Sequence, residues 1–375
     1  MEEWKTYKLK DICIKVTDGS HFSPEGIQDG YPMFSVKDML EYGFDYSKCK
    51  RISEFDFNKM KSSGCVPQKG DVLVAKDGSF LKQIFVCEDT KDEAILSSIA
   101  IFRPDTSKVC PEYLCYLIKS PKVYDYISRN CVSGSALPRI VLKAFKEVEL
   151  DIPSLDMQKS IVARLKCVDD KIRINNQINH NLEQQARELF KYWFINAPQE
   201  SWKEKSLSDY FNVITGKKDS NYSTPEGAYP FFTCSQDILK APSYSFDGHA
   251  ILVAGNGDFN VKRYIGKFEA YQRTYVLIPH EEKFHAFLYL MIDYYLPEIT
   301  GGSRGSVIKF ITKGNIANFR FRVPQNNIDD QLKKLNDIYK IIDCNLEESS
   351  RLTKMRDTLL PKLMSGELKI NDLTC

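Results

Sequence analysis

No two cysteines stand in CxxC spacing, although the chain has eleven of them, at positions 13, 49, 65, 87, 110, 115, 131, 167, 234, 344 and 375. Scattered and odd in number, they exclude a zinc ribbon, a dithiol redox motif and a disulfide-stapled secreted scaffold, and they read as reduced thiols of a cytoplasmic protein. A long apolar run is missing too. The longest, Ala286 to Leu296, falls well short of the roughly 18 residues of a membrane span. The opening MEEWKTYKLKD has no basic-then-apolar layout of a signal peptide. The expectation is a soluble chain with no membrane partner.

Net charge of one sign is also missing: 52 Lys and Arg against 50 Asp and Glu give +2. That excludes a polycation holding nucleic acid by bulk charge, but not a locally basic face on a neutral chain. Catalytic signatures are likewise absent. No PP dipeptide exists for an [ND]PP[YF] amino-methyltransferase tetrapeptide, and no GxxxxGK[ST] phosphate loop occurs. HEEKFH (His280 to His285) spaces its histidines five apart, about 140° around a helix, so they do not share a metal as HExxH does. A nuclease-like acid and lysine set, Asp71 with Lys76 or Glu281 with Lys283, is the composition expected by chance in a chain that is 27% charged. Asp71 reads as a turn residue before a buried strand. Neither catalysis nor a metal is expected.

What the chain does contain is itself, twice. Trp4, Leu9 and Asp11 of WKTYKLKDI fall on Trp202, Leu207 and Asp209 of WKEKSLSDY. In the same order PEGIQDGYPMF parallels PEGAYPFF, GDVLVAKDG parallels GHAILVAGNG, PEYLCYLI parallels HAFLYLMI, SGSALPRI parallels GGSRGSVI, and VELDIP parallels FRFRVP. Six weak matches in one order mark a duplicated module.

After each closing proline the pattern turns helical. Ile161, Leu165, Val168, Ile172, Asn175, Asn179, Leu182, Ala186 and Leu189 advance by alternating fours and threes. Leu335, Ile338, Ile342, Asn345, Ser349, Leu352, Arg356, Leu359 and Leu363 do the same in the second copy, shifted by 170. This is the a/d seam of a coiled coil. Pro153 with Ser154 or Asp156 opens the first helix and Pro198 follows it; Asn326 or Asn327 caps the second and Gly366 closes it. At about 60 Å each, the helices are too long to lie inside a module, and each needs a long partner, the other copy being nearest. Asn175, Asn179, Asn345 and Ser349 leave two readings open: a polar layer fixing register, or a wet stretch of the rod. Tyr192, Trp193 and Phe194 either clamp the rod to the second module or face a partner.

Module, long helix, module, long helix: this order, with WKTYKLKDI, TDGSHFSP, GDVLVAKDG, SGSALPRI, the block from Ile152 to Phe194 and LEESSRLTKMRDTLLPKLMSGEL (Leu346 to Leu368), resembles the specificity subunit of type I restriction-modification systems. Asp329, Asp330 and Gln331 are a less typical opening of the second helix. The resemblance implies an α+β fold. In it two pseudo-two-fold-related target recognition domains of mixed α/β structure with a twisted sheet are separated by two long antiparallel helices forming a coiled coil. The implied layout is a first recognition domain at 1–153, a spacer helix at 154–197, a second recognition domain at 198–324, a second spacer helix at 325–366 and a tail at 367–375. It further implies a non-catalytic reader of a bipartite double-stranded DNA site, docked to two methyltransferase subunits that carry S-adenosylmethionine. Restriction subunits using ATP and Mg would join through them. This chain itself would hold no cofactor. Two rivals remain at this point: a stand-alone nuclease or methyltransferase, and a coiled-coil adaptor binding proteins only.

For DNA contact the candidates are polar, glycine-bearing loops, with cations for phosphates and polar side chains for base edges. In the first module these are Thr17, Ser20 and His21, then Lys76, Asp77 and Ser79, then Ser133, Ser135 and Arg139. In the second they are Lys217, Lys218 and Asn221, then Asn256, Asn260, Lys262 and Arg263, then Ser303 and Arg304.

Overall fold

The computed structural model describes residues 4–78, 80–134, 138–196, 201–301 and 309–368. The chain divides into two compact units, one of residues 1–172 with 350–375 and one of residues 173–349. Both expected long helices form, Leu155–Phe194 and Asp329–Met364. Each helix therefore contributes one stretch to each unit.

In the first unit the strand Lys5–Lys8 pairs antiparallel with Glu149–Ile152, so the module closes its first strand on its last. A four-stranded antiparallel sheet follows the order Cys13–Asp18, Ile99–Pro104, Val72–Ala75, Ile84–Val86. VLVA and IAIF are unbroken apolar runs because both faces of these strands are buried. One face packs on the helix Pro111–Lys119 and on Leu165, Leu360 and Leu363 of the long helices. A three-stranded sheet beside it joins Lys50–Ile52, Tyr31–Phe34 and Ala94–Ile95, the last pair parallel.

The second unit repeats this plan. Lys203–Ser206 pairs antiparallel with Arg320–Val323. Its main sheet runs Phe211–Thr215, Thr274–Pro279, Phe246–Ala254, Val261–Ala270, Tyr229–Phe232, Ile238–Ala241, with one parallel pair between the fourth and fifth. The helix His285–Tyr294 covers it, and the core takes in Phe190, Phe194, Leu335, Ile338 and Ile342 of the long helices. Phe194 thus clamps the rod to this module, whereas Tyr192 stays 70% exposed.

Within the second unit the two helical stretches run antiparallel and meet through amides. Asn345 Nδ2 donates to Asn179 Oδ1 at 2.8 Å, and Asn175 Nδ2 donates to Ser349 Oγ at 3.3 Å and to Glu348 Oε2 at 2.8 Å. Asn175, Asn179 and Ser349 are buried, so the wet-stretch reading falls and a paired polar layer stands. Apolar seam positions are buried in each unit taken by itself: Leu165, Val168 and Ile172 in the first, with Leu352 partly so, and Leu335, Ile338 and Ile342 in the second, with Leu182 partly so. At the helix ends the seam departs from the expected heptad: Phe190 and Leu360 are buried where Leu189 and Leu359 are only half-buried. A straight α-helix repeats every 3.6 residues rather than 3.5, so the buried stripe drifts one position over these lengths.

The caps follow the sequence. Asp329 N donates to Asn327 Oδ1 at 2.8 Å. Gly366 takes φ +72°, and a Cβ there would lie 3.0 Å from Trp4 Nε1, so glycine is required both for the turn and for the tryptophan packed on it. Among the described residues, no helix is long and apolar enough to cross a membrane.

Candidate nucleic-acid interface

In the first unit the strand Cys13–Asp18 ends at Gly19, whose Cβ would sit 2.3 Å from the Ile95 carbonyl oxygen. Ser20 then bridges Leu96 in parallel, and its hydroxyl donates to Phe22 O at 2.8 Å while accepting from Phe22 N at 3.1 Å. The turn presents His21 and Phe22 to solvent. Thr17, Ser20, His21, Phe22 and Lys59 line a cleft of about 380 Å³, with Met60 and Cys65 as apolar lining. Lys59 Nζ stands 5.2 Å from the centre of the Phe22 ring.

Lys76 corrects an expectation. Its side chain is only 5% exposed and donates to Asp18 Oδ2 at 2.5 Å, so it is an internal cation rather than one presented to solvent. Desolvating an ammonium is tolerable only beside such a partner. His21 Nε2 approaches the same carboxylate at 3.5 Å. Asp77 bridges Arg139 through the backbone and pairs with its guanidinium at 3.0 Å. Ser133 lies opposite Arg139 in a two-residue ladder. The two ion pairs bring the turn at 17–22, the segment 76–78 and Arg139 together. Ser79 and Ser135 lie outside the described residues.

The second unit builds the same place with other side chains. Gly216 has no room for a Cβ, which would lie 2.1 Å from the Tyr271 carbonyl oxygen, and Lys218 bridges Tyr271 in parallel as Ser20 bridges Leu96. Lys218 Nζ stands 4.4 Å from the centre of the Tyr222 ring and Lys217 Nζ 5.3 Å from that of Phe246. Asn221 is exposed on the turn Ser220–Tyr222. Asn256 bridges Phe310 as Asp77 bridges Arg139, and each is followed by a left-handed glycine, Gly257 and Gly78.

Three residues expected to face DNA here are engaged within the protein. Asn260 is buried, its amide donating to the carbonyls of Cys234 and Asp258 at 2.8 and 2.9 Å. Lys262 donates to Ser235 O at 2.6 Å and Asn260 Oδ1 at 2.5 Å, and burial lowers its pKa. Arg263 is spent on Asp343 of the second long helix. Loop polarity identified them, but each meets an acceptor that only the fold brings close: Asn260 in the loop, and Lys262 and Arg263 on opposite faces of the strand Val261–Ala270. Ser303 and Arg304 lie outside the described residues. Asp18 and Lys59 belong to the surface although they were not among the candidate residues; Asp18 is flagged only by its place before Gly19.

Among the described residues, no catalytic set assembles around Asp71 or His285. Asp71 is fully buried and held by both Arg103 Nε and Nη2 at 2.8 Å, so it joins no nuclease constellation with Lys76. His285 is buried against Ala250 O at 3.1 Å, and desolvation takes its pKa down to about 4. Among the described residues no group of three His, Cys, Asp or Glu is placed to hold a metal.

The chain is similar to known proteins along nearly its full length. The E. coli type I restriction enzyme EcoDI specificity subunit is 38% identical over 172 residues, 44% of this chain and 38% of that one. The Haemophilus influenzae HindI specificity subunit is 22% identical over 98% of this chain and all of that subunit. A crystal structure of the type I system S subunit from M. genitalium shares the fold with TM-score 0.59 and 17% identity, covering 96% of both chains. The family model described as type I restriction modification DNA specificity domain matches residues 1–184 and again 199–353. Carrying that domain twice, the chain belongs to the specificity-subunit family of type I restriction-modification systems.

Proposed function

We propose that this chain reads a bipartite, asymmetric double-stranded DNA site, one half-site per unit, and performs no chemistry itself. The observation that carries this is the duplicated platform: a glycine without room for a Cβ, a parallel bridge and a left-handed glycine recur in both units while the side chains they present differ. One backbone frame bearing two sets of side chains is what reading two different half-sites requires. On the first unit Thr17, Ser20, His21, Ser133 and Arg139 face the DNA, and on the second Lys217, Lys218, Asn221 and Asn256. Exposed cations contact phosphates and the polar groups read base edges. The exposed flanks of the long helices dock two methyltransferase subunits, which bring S-adenosylmethionine, and through them restriction subunits with ATP and Mg; the complex works in the cytoplasm.

Mapping methylated adenines genome-wide with and without this gene tests the reading. Loss of methylation at one bipartite motif is expected. An unchanged methylome in a cell expressing the partner methyltransferase defeats it.

A further inference from the structure

The strand Val261–Ala270 carries two cations in succession, and alternation sends them to opposite faces. Lys262 turns to the loop at Ser235. Arg263 turns to the second long helix, where Nη1 and Nη2 donate to the two carboxylate oxygens of Asp343 at 2.9 and 2.5 Å. Nη2 also reaches Tyr339 O at 3.3 Å, and the guanidinium lies 4.2 Å from the centre of the Tyr339 ring. Only 9% of the Arg263 side chain is exposed. A planar fork held by a carboxylate, a carbonyl and a ring face is fixed in direction as well as distance, which a lysine ammonium would not be.

This strand directly follows the loop that carries Asn256 and Gly257. On one side the loop is braced by Asn260 and Lys262, and on the other its strand is fastened by Arg263. We propose that Arg263 is a positioning residue for the second unit, setting through Asp343 the pose in which the 256–260 loop meets bases. The proposal rests on the DNA-reading function given above. Arg263 itself touches no DNA; it acts through the strand.

The signature is specific. A phosphate contact made by a cation survives a small displacement, because charge attraction is weakly directional. A hydrogen bond to a base edge does not. Loosening the clamp therefore lowers discrimination at one half-site while leaving the other half-site untouched.

The experiment uses the full chain co-expressed with its methyltransferase, acting on a plasmid library randomised at each position of the methylated motif. Asp343→Asn keeps the shape and removes the charge; Arg263→Lys keeps the charge and removes the fork. Each is expected to cut discrimination at the half-site read by the second unit roughly tenfold, with the first half-site as in the wild type. Thermal melts of the same preparations report folding. Equal losses at both half-sites, or full discrimination retained by Arg263→Lys, would overturn the proposal. A wild-type complex that methylates without sequence preference would instead overturn the DNA-reading function on which it stands.

Discussion

Lys76 in the first unit and Gly255 in the second occupy the same place in the same backbone. The amide of each donates to the residue just before the neighbouring strand, to Ser98 O and Arg273 O, and the carbonyl of each accepts from an isoleucine much later in the chain, Ile140 and Ile311. On that shared frame the side chains differ. Lys76 is a buried cation satisfied by Asp18, whereas at Gly255 a Cβ would lie 2.4 Å from the Arg273 carbonyl oxygen. The copies are held alike by main-chain hydrogen bonds and wired differently by side chains. Recognition can diverge without disturbing the frame because the two layers are separate.

The largest test of that contrast is Asp18→Ala, which strands Lys76 without a partner. A loss of about 3–5 kcal/mol is expected, seen as accelerated amide exchange in the first unit, and a second change, Lys76→Met, should restore most of it. Next come Leu165→Ala and Leu335→Ala, both fully buried and one repeat apart. Each should cost about 2–5 kcal/mol in urea titrations, and losses differing by more than about 2 kcal/mol would break the equivalence of the helices. Acidification should then separate the units. Between the ordinary His value of 6.5 and about 4, the unfolded chain takes up a proton that buried His285 refuses. The stability held by His285 is complete above pH 6.5 and drains as pH falls, by roughly 2 kcal/mol at pH 5. Exchange in the second unit should rise over that window, and His285→Gln should flatten it. Smallest is Asn179→Leu with Asn345→Leu: the paired amides become an apolar layer, and stability should stay within about 1 kcal/mol of wild type or rise.

Much of this was legible in the residues. Duplication, both long helices, their shared register and the mid-helix amides follow from local spacing, because a helix is written in near neighbours. The closing of Lys5–Lys8 on Glu149–Ile152 was not legible, nor were the parallel pairs at Phe34 and Phe232, since pairing over long separations leaves no periodic trace. The same holds for the candidate surface. Ser20, His21 and Lys217 announce themselves as loop residues, but Lys76, Lys262 and Arg263 carry the same composition and turn inward, each toward an acceptor brought close only by the fold.

The pair Arg263 and Asp343 is unequally hidden: 9% of the arginine side chain is exposed and 35% of the aspartate. Should the second module be exchanged for a foreign one, Asp343 remains on the helix and stays hydrated, a bearable orphan. An arginine carried onto a helix without its aspartate would be a dry, unpartnered charge. Grafting is therefore directional: this scaffold accepts strangers more readily than its module can live elsewhere.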